Sequence, residues 1–164
     1  MNAAVNFQQI VLAVEAVEDP EIPITLKDLG VLRSITHNDD CIFIVLRPTK
    51  IGCPGKTRME SEIRQACSTF DPNGTVEITW EYEPWNPNDV TLSGQKCLAE
   101  YGITVREHER VMCPYCSSNA VSTMGDFGGS ICKVPYHCDS CGSTFERLRS
   151  VQSAEPVKFL RKVE

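Results

Sequence analysis

Two cysteine pairs, Cys113-x2-Cys116 and Cys138-x2-Cys141, constrain this chain more than any other feature. A CxxC turn brings two sulfurs to one cation, and a second CxxC on a neighbouring hairpin completes a tetrahedral four-thiolate shell. The 21 residues between the pairs slightly exceed the common spacing, and a hairpin accommodates the difference. Gly142 can supply a positive φ after the second pair, and Pro114 and Ser117 suit the first turn. A segment the size of 111–150 buries too little apolar surface to fold alone. Structural zinc contributes an apparent ~10–16 kcal/mol in zinc-finger peptides, enough to decide whether such a ribbon folds. A filled shell has no open position, so the expected cofactor is one structural zinc held by Cys113, Cys116, Cys138 and Cys141. An iron–sulfur cluster takes the same ligands and is the alternative. Cys132 and His137 are candidate extra ligands; their plainer readings are a buried thiol and a surface imidazole.

Nine cysteines is an odd count, and an unpaired set fits a reducing compartment better than a disulfide framework. Met1 to Gln9 has no basic start followed by a long apolar stretch, and no apolar run approaches the ~20 residues that span a bilayer. The expectation is a cytoplasmic protein with no membrane partner. A formal charge of −6 argues against a nucleic-acid coat. Arg147, Arg149, Lys158, Arg161 and Lys162 nevertheless form a mildly basic tail beside the ribbon. A protein-docking or nucleic-acid-binding adaptor without metal transfer is therefore the alternative function.

Upstream of the ribbon the pattern changes period. Phe7, Ile10, Val11, Val14 and Val17 share a helical face, with Asn6 as candidate N-cap and an end near Glu18, before Pro20. Thr25 can cap a short turn through Asp28 that Gly30 stops. Val31–His37 reads as a strand and Asn38-Asp39-Asp40 as a turn. Cys41–Arg47 is almost wholly apolar and reads as a central strand covered on both faces. A helix is expected from Pro54, with Met59, Ile63, Ala66, Cys67 and Phe70 on one side. Asp71-Pro72-Asn73-Gly74 breaks it. In Thr75–Tyr82, Val76, Ile78, Trp80 and Tyr82 alternate with polar residues. The order α-β-β-α-β predicts an α+β domain with a small three-stranded sheet and helices on one face. The expected division is an α+β domain over 1–83, a linker with a short helix from about Leu92 to Tyr101 over 84–110, the ribbon over 111–150 and a tail over 151–164.

A second chemically informative segment is Pro48-Thr49-Lys50-Ile51-Gly52-Cys53-Pro54-Gly55. Pro54 fits the first turn of a helix, which would put Cys53 at the N-cap, where free N–H groups and the helix dipole lower a thiol's pKa. Cys53 is thus a candidate reactive or metal-transferring thiol, weighed against a buried structural cysteine. The chain's histidines, His37, His108 and His137, lie outside this region, so no hydrolytic pairing accompanies Cys53. Neither a phosphate-binding nor a dinucleotide glycine motif is present.

Asp19-Pro20-Glu21-Ile22-Pro23, Asp28-Leu29-Gly30-Val31, and Pro48-Thr49 with Gly52-Cys53-Pro54 resemble, in that order, the MIP18 (DUF59) family, whose members assist iron–sulfur cluster assembly. Trp85, Tyr101-Gly102-Ile103, Cys113-Pro114-Tyr115-Cys116, Phe127-Gly128, Cys132-Lys133 and Tyr136-x-Cys138 extend the likeness to the PaaD type, accessory subunits of phenylacetyl-CoA epoxidase systems. The resemblance implies an accessory or maturation factor rather than an enzyme, with transient iron or an iron–sulfur unit at Cys53. It also implies that Asp28 sits near that thiol and Glu21 in the same loop. Implied partners are client oxygenase or reductase subunits and the iron–sulfur assembly machinery; a homodimer is an open alternative to a monomer.

Overall fold

The alternation read in Thr75–Tyr82 and the apolar run after Cys41 become two strands of one sheet. In the computed structural model, which describes residues 3–38, 41–50, 52–105, 110–130 and 132–149, this sheet contains β1 (Leu32–His37), β2 (Cys41–Leu46) and β3 (Thr75–Trp80). β2 is central, antiparallel to β1 and parallel to β3. Helix α1 (Ala3–Glu15) precedes the sheet, and α2 (Lys56–Phe70) makes the crossover that a parallel β2–β3 pair requires. Ile42, Ile44 and Leu46 of β2 join Ile10 and Val14 of α1, and Met59, Ile63 and Cys67 of α2, in one buried cluster. The other face of β2 is only half-buried, as Cys41, Phe43 and Val45 show. This corrects the expectation of cover on both faces, because both helices feed a single core. β3 keeps the alternation, with Val76, Ile78 and Trp80 half-buried between exposed neighbours.

Two helix starts differ from expectation. Asn6 lies inside α1, which begins at Ala3, and so does not cap it. α2 begins at Lys56 behind an N-cap at Gly55, not at Pro54. The Cys53 N–H donates to the Lys50 carbonyl at 3.1 Å, which ties Cys53 into the preceding turn instead of the helix head. Gly55 packs so closely on Pro20 that a Cβ there would lie 2.7 Å from the proline ring. The Cys53 loop is thereby laid against the Asp19-Pro20 segment.

The stretch 84–110, expected as a linker, supplies core residues. Trp85 is 1% exposed, and Val90, Leu98, Ile103 and Val105 are buried in the same cluster as the first domain's residues. A short 3-10 turn (Pro87–Asp89) leads to α3 (Leu92–Glu100), which Thr91 caps by accepting the Gly94 N–H. Gly102, at φ +69°, closes the helix as expected. Arg47 faces Glu81 and Glu83 at 2.7 Å each and Asp89 at 3.6 Å, tying the β2 end to this stretch.

The C-terminal sheet contains β4 (Ile103–Thr104), β5 (Val121–Thr123), β6 (Lys133–Cys138) and β7 (Thr144–Leu148), in the order β4-β7-β6-β5. β6 and β7 form an antiparallel hairpin, and β4 adds to β7 in parallel. Cys113, Cys138 and Phe145 make a small local core, with Val111, Val121 and Tyr136 packed on it. Cys132 and Leu148 instead belong to the main cluster, so the ribbon's base is built into the first domain's core. The turn at Asp39-Asp40, His108, and the tail with Lys158, Arg161 and Lys162 lie outside the described residues.

Candidate functional site

Each ribbon pair sits in the same local turn. The Ser117 N–H donates to the Cys113 carbonyl, and the Gly142 N–H to the Cys138 carbonyl, both at 2.9 Å. Ser117 and Gly142 adopt left-handed φ values of 58° and 75°. Such a turn points both sulfurs of a pair the same way. The two turns are cross-linked by Ser118 and Ser140, whose hydroxyls lie 2.7 Å apart. The result is that Sγ atoms of Cys113, Cys116, Cys138 and Cys141 all lie within 4.8 Å of one another. Cys113 and Cys141 are 3.7 Å apart and Cys116 and Cys138 3.6 Å. A tetrahedron with metal–sulfur bonds of about 2.3 Å has edges of about 3.8 Å, so the four sulfurs fit a single tetrahedral ion. A multi-iron cluster places its thiolates on separate irons and would spread them wider.

The thiols are not equivalent. Cys141 is drawn down to about 6 by the Ser143 hydroxyl and N–H. Cys116 is pushed up to about 12: the Ser118 N–H lowers it, but desolvation and the adjacent sulfurs outweigh that contact. One sulfur is thus primed as the first thiolate, while Cys116 keeps a proton that a cation would displace. Neither His137 nor Cys132 joins the four. His137 stands opposite Thr144 on the hairpin, with Nε2 3.9 Å from Asp139.

Cys132 faces the other way. It is buried at the turn before β6, with its Sγ 3.0 Å from the Ser130 hydroxyl. It lines a small cavity of about 10 Å³ together with Cys53, Asp19, Glu21, Ile22, Thr49, Lys50 and Pro54. The loop that carries Cys132 is held by Lys133, whose ammonium pairs with Glu146 at 2.7 Å under only 10% side-chain exposure. Burial alone would raise the Glu146 carboxyl, but Lys133 and the Gly129 N–H hold it below the ordinary range. The opposite wall is the Asp19 turn, in which Asp19 accepts the N–H groups of Glu21 and Ile22 at 2.8 and 2.9 Å. Burial pushes Asp19 upward despite those two contacts.

The thiols of this cavity are raised, not lowered. Desolvation pushes Cys53 up; the Gly55 N–H opposes this, and Asp19, Glu21 and Cys132 reinforce it. Burial likewise raises Cys132 against the Ser130 contact. The expected lowering at Cys53 assumed a seat at the head of α2, which the chain does not adopt.

Asp28 belongs to a different constellation. It accepts hydrogen bonds from the Thr91 hydroxyl, from Ser93 at 2.8 Å and from Thr25 at 3.3 Å, and it lines no part of the thiol cavity. It thus latches the Thr25 turn to the head of α3. Glu21, in contrast, does line the cavity. Sequence reasoning passed over Asp19 as a wall of this cavity; the Asp-Pro turn signature was the available cue.

A family model described as "PaaD zinc beta ribbon domain" matches residues 101–149, and one described as "Iron-sulfur cluster assembly protein" matches residues 8–80. A protein of Escherichia coli (strain K12), provisionally named as a subunit of 1,2-phenylacetyl-CoA epoxidase, is 33% identical over 147 residues, covering 82% of this chain and 87% of that protein. The chain belongs to the PaaD-type family of iron–sulfur assembly proteins. A DUF59 domain of unknown function from Bacillus anthracis, solved by crystallography, superposes with a TM-score of 0.52 at 23% identity, covering 58% of this chain and 92% of that domain. That likeness shows the fold of the first lobe. This chain thus joins an iron–sulfur assembly domain to a zinc ribbon domain. Among the described residues no helix is long and apolar enough to cross a membrane.

Proposed function

We propose that this chain is an accessory maturation factor, not an enzyme, that assists iron or iron–sulfur centre assembly in a multicomponent phenylacetyl-CoA oxygenase. Cys53 is the transfer thiol. It receives iron or an iron–sulfur unit from the assembly machinery and passes it to ligands of a client oxygenase or reductase subunit. The observation that carries this reading is the placement of Cys53 in a cavity lined by two carboxylates and a second thiol, with no histidine among its described lining residues. Such a cavity suits cation capture rather than covalent turnover. The chain's nine thiols suit a reducing cytoplasm.

The ribbon's role is separate. It holds one structural zinc on Cys113, Cys116, Cys138 and Cys141, and the metal fixes the loops that lead back to the cavity. Exposed Tyr115, Met124 and Phe127 on the ribbon support a secondary use as a protein-docking face.

The test is Cys53→Ala co-produced with the client complex. The variant should keep wild-type far-UV circular dichroism and one zinc per chain while client iron falls. Normal client iron in that variant would remove Cys53 from the role. Elemental analysis of anaerobically purified protein should give one zinc per chain and a colourless solution; a brown chromophore held by the ribbon thiols would overturn the zinc assignment.

A further inference from the structure

The ribbon contributes a residue to the cavity as well as a clasp to the fold. Cys132 comes from the ribbon and Cys53 from the loop before α2, yet both line the same small space. Neither thiol is at the surface in the ordinary sense, since Cys132 is 7% exposed and Cys53 is packed against the main core. The cavity is small, about 10 Å³, and a single ion suits it better than a cluster. Its other polar lining residues are Asp19, Glu21, Thr49 and Lys50, of which the two carboxylates can ligate a cation. Buried thiols beside carboxylates are a costly arrangement for an apolar seam, where valine or alanine would pack without polar atoms.

We infer that Cys53 and Cys132 form a two-thiolate site, completed by the Asp19 and Glu21 carboxylates, for a single divalent first-row transition cation of the ferrous class. This deepens the maturation reading and rests on it. Mixed sulfur and oxygen donors suit ferrous iron, cobalt or zinc, whereas an all-oxygen set would suit magnesium or calcium. Binding replaces two thiol protons by the cation, and release to a client's ligands returns the thiols to their protonated state, with no change of oxidation state. Among the described residues, only the ribbon's four cysteines gather three or more donors within 4.8 Å. The cavity donors line a space without converging, so the site contracts on loading. Incomplete preorganisation lowers affinity, which is what a donor of cations needs and a structural clasp does not.

A consequence is that the ribbon's zinc acts on the second site through position alone. The Cys132 loop is fastened by Lys133–Glu146, by the Gly128 N–H on the Lys133 carbonyl and by the Arg149 N–H on the Cys132 carbonyl. All of these depend on the β6–β7 hairpin that the zinc thiolates close.

The experiment is anaerobic titration of the full chain, ribbon zinc in place, with Co²⁺. Cobalt sits below zinc in affinity and so leaves the ribbon loaded. The wild type should take up one equivalent with thiolate-to-cobalt charge-transfer absorption. Cys132→Ser and Cys53→Ser should each cut that absorption by about half or more, one of two thiolates being lost. Each should also weaken binding by more than the roughly 10–100-fold typical of outer-shell changes. Cys41→Ser, outside the cavity, should titrate like the wild type. Zinc content should be unchanged in all of them. Wild-type uptake and intensity in Cys132→Ser, with loss only in Cys53→Ser, would overturn the two-thiolate site and leave Cys53 as sole carrier. No cobalt uptake by the wild type would also overturn it; the maturation reading is judged separately by client iron.

Discussion

The indole N–H of Trp85 donates to the main-chain carbonyl of Leu29 at 2.8 Å, entirely inside the protein. One bond thus joins the Pro-rich stretch after β3 to the Asp28-Leu29-Gly30 turn. Trp85→Phe keeps most of the ring and removes the donor. It should cost about 1–3 kcal/mol, the usual range for orphaning a buried polar group. Trp85→Ala should cost about 3–5 kcal/mol by opening a cavity as well. Denaturant unfolding of the three proteins checks the order; equal midpoints for wild type and Trp85→Phe would show that the bond contributes nothing.

Gly30 and Gly142 provide an internally controlled pair. Both adopt φ of +75°, but only at Gly30 does a Cβ collide, at 2.7 Å from the Asp89 carbonyl oxygen. Gly142→Ala should therefore cost about 1–2 kcal/mol of left-handed strain. Gly30→Ala should cost about 2–5 kcal/mol, since overpacking against backbone adds to the strain. Similar melting temperatures for the two variants would refute the close approach of the Asp89 segment.

The Asp28 latch makes a pH-dependent contribution. The Thr91 hydroxyl chiefly, helped by Ser93 and Thr25 and opposed by burial, holds the Asp28 carboxyl below its ordinary range. A lowered carboxylate adds stability that is fully present above its unfolded pKa and lost as pH falls through the folded one. Asp28→Asn should be less stable by about 1–3 kcal/mol at neutral pH. The gap should narrow once pH drops below the ordinary carboxylate range, near 3.8. A gap that stays constant from neutral to strongly acidic solution would mean that the charge is irrelevant to the latch.

Thiol labelling tests the cavity without any metal. Burial raises both Cys53 and Cys132, so little of either is thiolate near neutrality. Both should alkylate more slowly than a peptide thiol at neutral pH, and their rates should keep climbing beyond the ordinary thiol range of about 8.5. Peptide mapping by mass spectrometry after timed labelling reads each site. Labelling of Cys53 faster than the peptide control would restore the thiolate-stabilising helix terminus that the loop geometry denies.

How much of the molecule is legible in its sequence depends on whether the signal is local. The strands β1, β2 and β3, and the close of α3 at Gly102, follow from alternation and turn residues within one element. The convergence of Cys113, Cys116, Cys138 and Cys141 is legible for the same reason, because a CxxC encodes its own turn. The stretch 84–110 reads wrongly as a linker. Its apolar residues Trp85, Val90 and Leu98 are interspersed with prolines and asparagines, and only the tertiary fold shows that they share a core. The start of α2 is misplaced because Pro54 satisfies a local rule while Gly55 answers to the distant Pro20. The sequence offers Cys132 as an extra ribbon ligand or a buried thiol; its place beside Asp19 and Cys53 is not legible, since these come from another lobe and no spacing rule links them. Family likeness puts Asp28 beside the thiol, while its actual partners Thr91 and Ser93 lie in the stretch that reads as a linker.

The two-residue strand β4 pairs with β7, the last strand described, and Leu148 of β7 reaches the main core. This fixes an order of events at the ribosome. The first sheet, β1 to β3, is complete in sequence by Trp80, but the wall that covers Cys53 arrives only with Cys132 and is pinned only with β7. Until Cys132 has been made, a nascent chain lacks one of the residues that line the cavity around Cys53. Any factor that loads this thiol during synthesis meets a wider mouth than the finished protein offers.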